Sequence, residues 1–149
     1  LYAREGEFTR AREHIDIARQ ENEKNRVWAE LAGNYFMLAS IESRQENYTA
    51  ARQHAIQALE YDKRAENSPG IAADLSALGR ISEHLGDDEE AYQYYLRSLR
   101  IYLSLNAAPE SLNLLGRLTD VSERTGRSDD ARRFRAEEER IRLRLDELR

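Results

Sequence analysis

Apolar positions along this chain fall in steps of three, and the stepped pattern itself recurs every forty residues. Tyr35, Leu38 and Ile41 form one such stripe; Leu75, Leu78, Ile81 and then Leu115, Leu118, Val121 repeat it without a gap. These spacings place side chains on a single face of a helix. A small residue returns at Ala11, Ala51, Ala91 and Ala131, where a second helix is expected to approach too closely for anything larger. Between stripe and alanine runs the column Gly6, Glu46, Gly86, Gly126. Glycine there suits the left-handed position that ends a helix, and where Glu46 interrupts the column the following Asn47 is expected to take that conformation. Asp87 to Glu90, and Asp129 with Asp130, then suit the positive end of a new helix. Pro69 and Pro109, also forty apart, stand at a plausible first helical position.

The pattern predicts a helix from roughly Phe8 to Asn22 followed by three helix pairs. The first pair covers about Arg26 to Glu46 and Tyr48 to Ala65. The second covers Pro69 to Leu85 and Asp88 to Leu105, the third Pro109 to Thr125 and Ser128 to Leu148. No sustained strand alternation is present. The predicted class is all-α: an α-solenoid of antiparallel helix pairs with about three and a half repeats. Residues 1–25 form a partial repeat, and full repeats span about 26–66, 67–106 and 107–149. In this register Leu1 enters near the end of a first-type helix, so the sequence reads as a piece of a longer protein.

Leu75, Leu78-Gly79, Gly86, Ala91, Tyr95 and Ser98-Leu99 resemble the signature of the tetratricopeptide repeat. Tyr35, Leu38-Ala39, Tyr48, Ala51 and Ala58-Leu59 repeat it one row earlier. The forty-residue period is similar to a long-repeat branch of that family, found in cell-polarity scaffolds and many bacterial regulators. The resemblance implies a right-handed superhelix whose first-type helices line a concave groove that binds a peptide or helix of another protein. The last row departs from the signature: Arg135 stands where Tyr95 did, and Glu138 and Glu139 replace Ser98 and Leu99. A face without small and apolar residues is poorly suited to receive another repeat, so the final helix is expected to act as a cap.

Carried onto this sequence, the resemblance puts Phe36, Ser40, Arg80, Glu83, Arg117 and Asp120 in the groove. Arg4, Arg44, His84 and Arg124 share one further column, which would form a spaced cationic ladder. With stacked helices about 10 Å apart, one such cation attracts a carboxylate by only about 0.4 kcal/mol in water. The ladder could orient an acidic segment without holding it tightly. The alternative reading is that each basic residue sits near a helix C-terminus because the dipole favours it there. Phe36 with Met37 lies off the stripe and reads either as an exposed anchor for a partner or as packing against a preceding helix. Chaperone-binding members of the family grip a terminal carboxylate with a lysine, asparagine and arginine clamp. Of those types, at matching positions, only Arg117 is present, and Phe36, Ser40 and Asn113 stand elsewhere in the pattern, so that activity is not expected.

Composition narrows the partner. The net charge of -5 and pI of about 5.3 disfavour a nucleic acid, whose backbone calls for a basic surplus. Mean hydropathy is -0.82 and no stretch approaches the apolar length of a bilayer span, so membrane insertion is not expected. The absence of cysteine removes disulfides and thiolate metal sites. His14 and His54 share a column but lack a carboxylate to complete a ligand set, so no metal or other cofactor is called for. Tyr92, Tyr94, Tyr95 and Tyr102 read as packing between helices. No phosphate-binding loop, nucleophile elbow or zinc-protease motif occurs, and catalysis has no candidate residue. Arginine-rich, lysine-poor usage hints at a bacterium of high GC content.

Two functions stay open at this level. The first is a groove that binds another protein. The second is a structural arm that self-associates through its last helix, without a peptide ligand. There Ala131, Phe134, Glu138, Ile141, Leu145 and Leu148 step by three and four like a coiled-coil seam. The same residues would also serve to pack that helix back on the one from Pro109, and Glu138 in the seam counts against self-association.

Overall fold

A computed structural model describes residues 2–149, with side chains from residue 4 onward. Seven α-helices follow one another among the described residues: α1 (Tyr2–Lys24), α2 (Trp28–Arg44), α3 (Tyr48–Arg64), α4 (Ser68–His84), α5 (Asp88–Ser104), α6 (Ala108–Arg124) and α7 (Ser128–Glu147). Each packs chiefly on its neighbours in sequence, and α2 also touches α4. That is the layout of an α-solenoid. None of these helices is long and apolar enough to cross a membrane.

The helices are joined by turns of one kind. A residue with positive φ stands at Arg26, Glu46, Glu66, Gly86, Asn106 and Gly126, every twenty residues. At the first-pair turn, the Asn47 N–H donates to the Glu42 carbonyl at 2.8 Å and the Glu46 N–H to the Ser43 carbonyl at 3.0 Å. This two-bond closure satisfies the last carbonyls of α2. Asn47 then opens α3, its own carbonyl receiving the Ala51 N–H at 2.9 Å. The same bonds recur at the other turns, so one helix end is also the next helix start. Asn67 and Asp87 add side-chain caps, accepting from the N–H groups of Gly70 and Glu90 at 3.4 and 3.0 Å.

Two local expectations change. Glu46 itself takes the left-handed conformation, with φ of 61°, while Asn47 lies at φ -89°. Closing both carbonyl bonds outweighs the strain of one β-carbon at positive φ. Gly6 forms no turn: α1 runs through it, and space for a β-carbon is open there.

The predicted stripes form that core. Leu38, Ile41, Leu75, Leu78, Ile81, Leu115, Leu118 and Val121 are buried, as are Ala51, Ala91 and Ala131. Tyr35 is only half-buried; it stacks on Tyr61 with centroids 5.6 Å apart. Tyr95 is wholly buried and lies over Gly79, where an added β-carbon would stand 2.5 Å from Cδ1 of the ring. The Leu-Gly pair thus has a steric cause. Ser98 Oγ donates to the Ala72 carbonyl at 2.7 Å and binds α5 to α4.

Candidate functional site

Five of the predicted groove residues meet in one place. Phe36, Ser40 and Arg44 from α2, with Arg80 and His84 from α4, line a pocket of about 240 Å³ between those helices. Ala39, Ala77 and Ile81 supply apolar floor, and Tyr48 at the start of α3 closes one wall. The cause lies in the repeat. Side chains one turn apart on α2 face their equivalents forty residues later on α4, and small Ala39 and Ala77 leave space between them. Phe36 is half-buried and lines this pocket; Met37 beside it is 47% exposed.

The pocket is apolar at its base and basic at its rim. The His84 ring stacks on Tyr48 with centroids 4.3 Å apart and planes 5° from parallel. Arg44 and Arg80 are exposed, and neither has an ion pair among the described residues. Arg44 also borders a second, wider recess of about 890 Å³ with Arg4, but Glu5, Glu7 and Glu46 line it as well. The cationic column is therefore diluted by acids at its N-terminal end.

At the other end it is neutralised. Arg124 donates to Glu83 at 2.7 Å and to Asp88 at 2.9 Å. Hydrogen bonds to Asp88 and then Glu83 hold its guanidinium above the ordinary arginine value. Glu83 also accepts from the Tyr95 hydroxyl at 2.6 Å and has Arg117 at 3.9 Å. Burial, followed by this bond to Glu83, pushes the Tyr95 hydroxyl up. Glu83, Arg117 and Arg124 thus form a closed network joining α4, α5 and α6, separate from the pocket. Arg117 Nε donates in addition to Asn113 at 3.2 Å. Asp120 is exposed and has no ion pair among the described residues. Members of the column thus have unequal neighbours: Arg124 is paired with acids, and Arg44, among the described residues, is not.

The remaining candidates behave as packing groups. His54 lies against Tyr35 with centroids 6.1 Å apart, and burial lowers its pKa. No three histidine, aspartate or glutamate side chains gather closely enough to hold a metal among the described residues. Tyr92 meets Phe134 at 6.2 Å, receives Arg127 over its ring at 4.0 Å and donates to Asp130 at 3.3 Å. Tyr94 packs on the core around Leu75 and Leu78, Tyr102 on that around Leu114 and Leu118.

Sequence reading missed a buried acid pair. Asp62 on α3 and Asp74 on α4 are 4% and 1% exposed, and Asn67 Nδ2 donates to Asp62 Oδ1 at 3.0 Å. Burial, then hydrogen bonding and charge from Asp62, push the Asp74 carboxyl well above the ordinary carboxylate range, so the pair favours holding a proton. The available signal was a lone acid amid Ile71, Ala72, Leu75 and Leu78 on one helix.

Comparison with known proteins follows the geometry. The sequence profile of the tetratricopeptide repeat matches residues 30–104. The fold is similar to that of BtubC from P. vanneervenii, at a TM-score of 0.84 and 21% identity, over 97% of this chain and 60% of that one. It is similar to a Rap protein complexed with Competence and Sporulation Factor, at 0.77 and 21% identity, over 87% of this chain and 36% of that one. The TPR domain of Arabidopsis FLU aligns at 0.65 and 19% identity over 77% of this chain and 94% of the domain. This chain therefore spans about three fifths of BtubC and little more than a third of the Rap protein. No curated protein matches by sequence.

Proposed function

Because the chain belongs to the tetratricopeptide repeat family, a fold that generally mediates protein–protein interaction, we propose that its pocket between α2 and α4 receives a peptide or helix of another protein. The observation that carries this reading is the pairing of an apolar floor with unspent cations. Phe36, Ala39, Ala77 and Ile81 offer a surface for one large apolar side chain, and Arg44 and Arg80 stand at its rim without internal partners among the described residues. Such an arrangement suits a segment with an apolar anchor beside carboxylates. The complex of the similar Rap protein with Competence and Sporulation Factor supports a binding role for solenoids of this shape.

A displayed peptide library selected on the chain tests the proposal. The expected enrichment is a large apolar residue flanked by aspartate or glutamate. Fluorescence anisotropy with one enriched peptide should then show Phe36→Ala, or Arg44→Glu with Arg80→Glu, weakening capture by about tenfold or more. The melting temperature should not move for the arginine pair, whose side chains are exposed. A selection without that enrichment, or binding indifferent to both variants, removes the pocket from the reading.

A further inference from the structure

The pocket between α2 and α4 holds more hydrogen-bond donors than an apolar anchor needs. Although the chain carries a net charge of -5, no acid is among the described residues that line it. Glu42 and Glu83, beside Ser43 and His84 in sequence, are held elsewhere, by Arg12 at 3.1 Å and by Arg124 at 2.7 Å. Arg44 and Arg80 have no ion pair among the described residues, and Ser40 and Ser43 have no hydrogen-bond partner among them either. Thr119 and Thr125 show the common fate of a hydroxyl on such a helix: each donates to a carbonyl one turn back, at 2.8 Å.

The donors are also ordered along the groove. The forty-residue register sets Ser40 of α2 opposite Arg80 of α4, and Arg44 opposite His84. One turn before Ser40, Phe36 joins Ala39, Ala77 and Ile81 in the apolar part of the lining. Four residues advance about 6 Å along a helix. That is close to the reach from the ring of a tyrosine to a phosphorus on its oxygen.

We propose that this pocket binds a phosphotyrosine side chain of a partner protein, with its ring on the apolar floor and its phosphate between Arg80 and Arg44. Within the groove-binding reading, on which this rests, one residue then supplies both the anchor and the charge. A phosphoryl group brings a charge of about -1.5 to -2 at neutral pH and three strong acceptor oxygens. Each guanidinium can meet it through paired N–H donors, and the serine hydroxyls can serve the oxygen that is left. A carboxylate brings less charge and fewer acceptors than the donors present. Phosphoserine would carry the charge but leave the floor uncovered, since its side chain ends before a ring begins.

Arrayed peptides of varied sequence with a fixed central phosphotyrosine test this on the 149-residue chain, beside matched arrays with tyrosine, glutamate or phosphoserine. The phosphotyrosine array should give the capture, and removing the phosphate from a captured peptide should weaken binding by about tenfold or more in fluorescence anisotropy. Arg80→Ala should cost about as much for the phosphorylated peptide and little for its unphosphorylated counterpart. Because Arg80 is exposed, this variant should melt as the parent does. Phenyl phosphate should displace the peptide at concentrations where inorganic phosphate does not. Tyrosine or glutamate peptides captured as tightly as phosphotyrosine overturn the phosphate assignment and leave the groove reading in place. Equal capture of phosphoserine overturns the role of the ring. Arrays without capture of any kind overturn both readings together.

Discussion

The Tyr95 ring lies on the α-carbon of Gly79, close enough that a β-carbon would stand 2.5 Å from its Cδ1 atom. The contact joins α4 to α5 and lets the tyrosine hydroxyl reach Glu83 at 2.6 Å. Both residues belong to the family signature, and each explains the other.

Gly79→Ala should therefore destabilise the protein, although alanine is the better helix former. Overpacking a wholly buried ring costs about 1–3 kcal/mol, more than the roughly 1 kcal/mol gained in propensity. Gly33→Ala is the control with the opposite sign. Gly33 is exposed within α2 and has nothing within 4 Å of an added β-carbon. It should stabilise by about 0.5–1 kcal/mol. Urea denaturation of both variants checks the pair, and equal signs would contradict the assigned contact.

Asp74 ties stability to pH. Its folded carboxyl titrates near 9, against an ordinary value of 3.8, so the folded state holds the proton more tightly than the unfolded chain. The resulting stability is complete below the ordinary value and is lost as pH rises toward about 9. Asp74→Asn keeps the shape and removes the titration. The urea midpoint of the parent should fall between pH 5 and pH 9, and that of the variant should fall less. Parallel pH profiles would show that Asp74 is ionised in the folded protein.

Arg44 and Arg124 occupy one sequence column yet should respond differently to charge reversal. Arg124→Glu sets a new carboxylate beside Glu83 and Asp88, which the arginine now neutralises. Because these groups are partly exposed, the cost should stay near 1 kcal/mol and shrink with added salt. Arg44→Glu should leave the melting temperature unchanged, since it has no ion pair among the described residues. Thermal melts at low and high salt distinguish the two. Equal losses would mean that the Arg124 network adds nothing to stability.

Much of the architecture was legible because its causes are local. The stripes, the alanine column and the capping acids act within one helix or between neighbours in sequence; that Phe36, Ser40, Arg44, Arg80 and His84 line one pocket is seen only in the packed helices. At Gly6 the column does not end a helix: α1 runs through it, because a glycine permits the left-handed turn without requiring it. Glu46 misled because the twenty-residue rhythm of closed turns overrides the side-chain preference of a single position.

The forty-residue repetition therefore determined α2 to α6 and the face each one buries, since backbone bonding and apolar periodicity need no distant partner. Which cations remain available was decided only in three dimensions. Arg44 and Arg124 are equivalent in the repeat, yet one borders an open pocket and the other meets Glu83 and Asp88. Asp62 and Asp74 likewise came together only when α3 packed on α4. Charge and protonation depend on distance and on the exclusion of water, and both are properties of the packed solenoid.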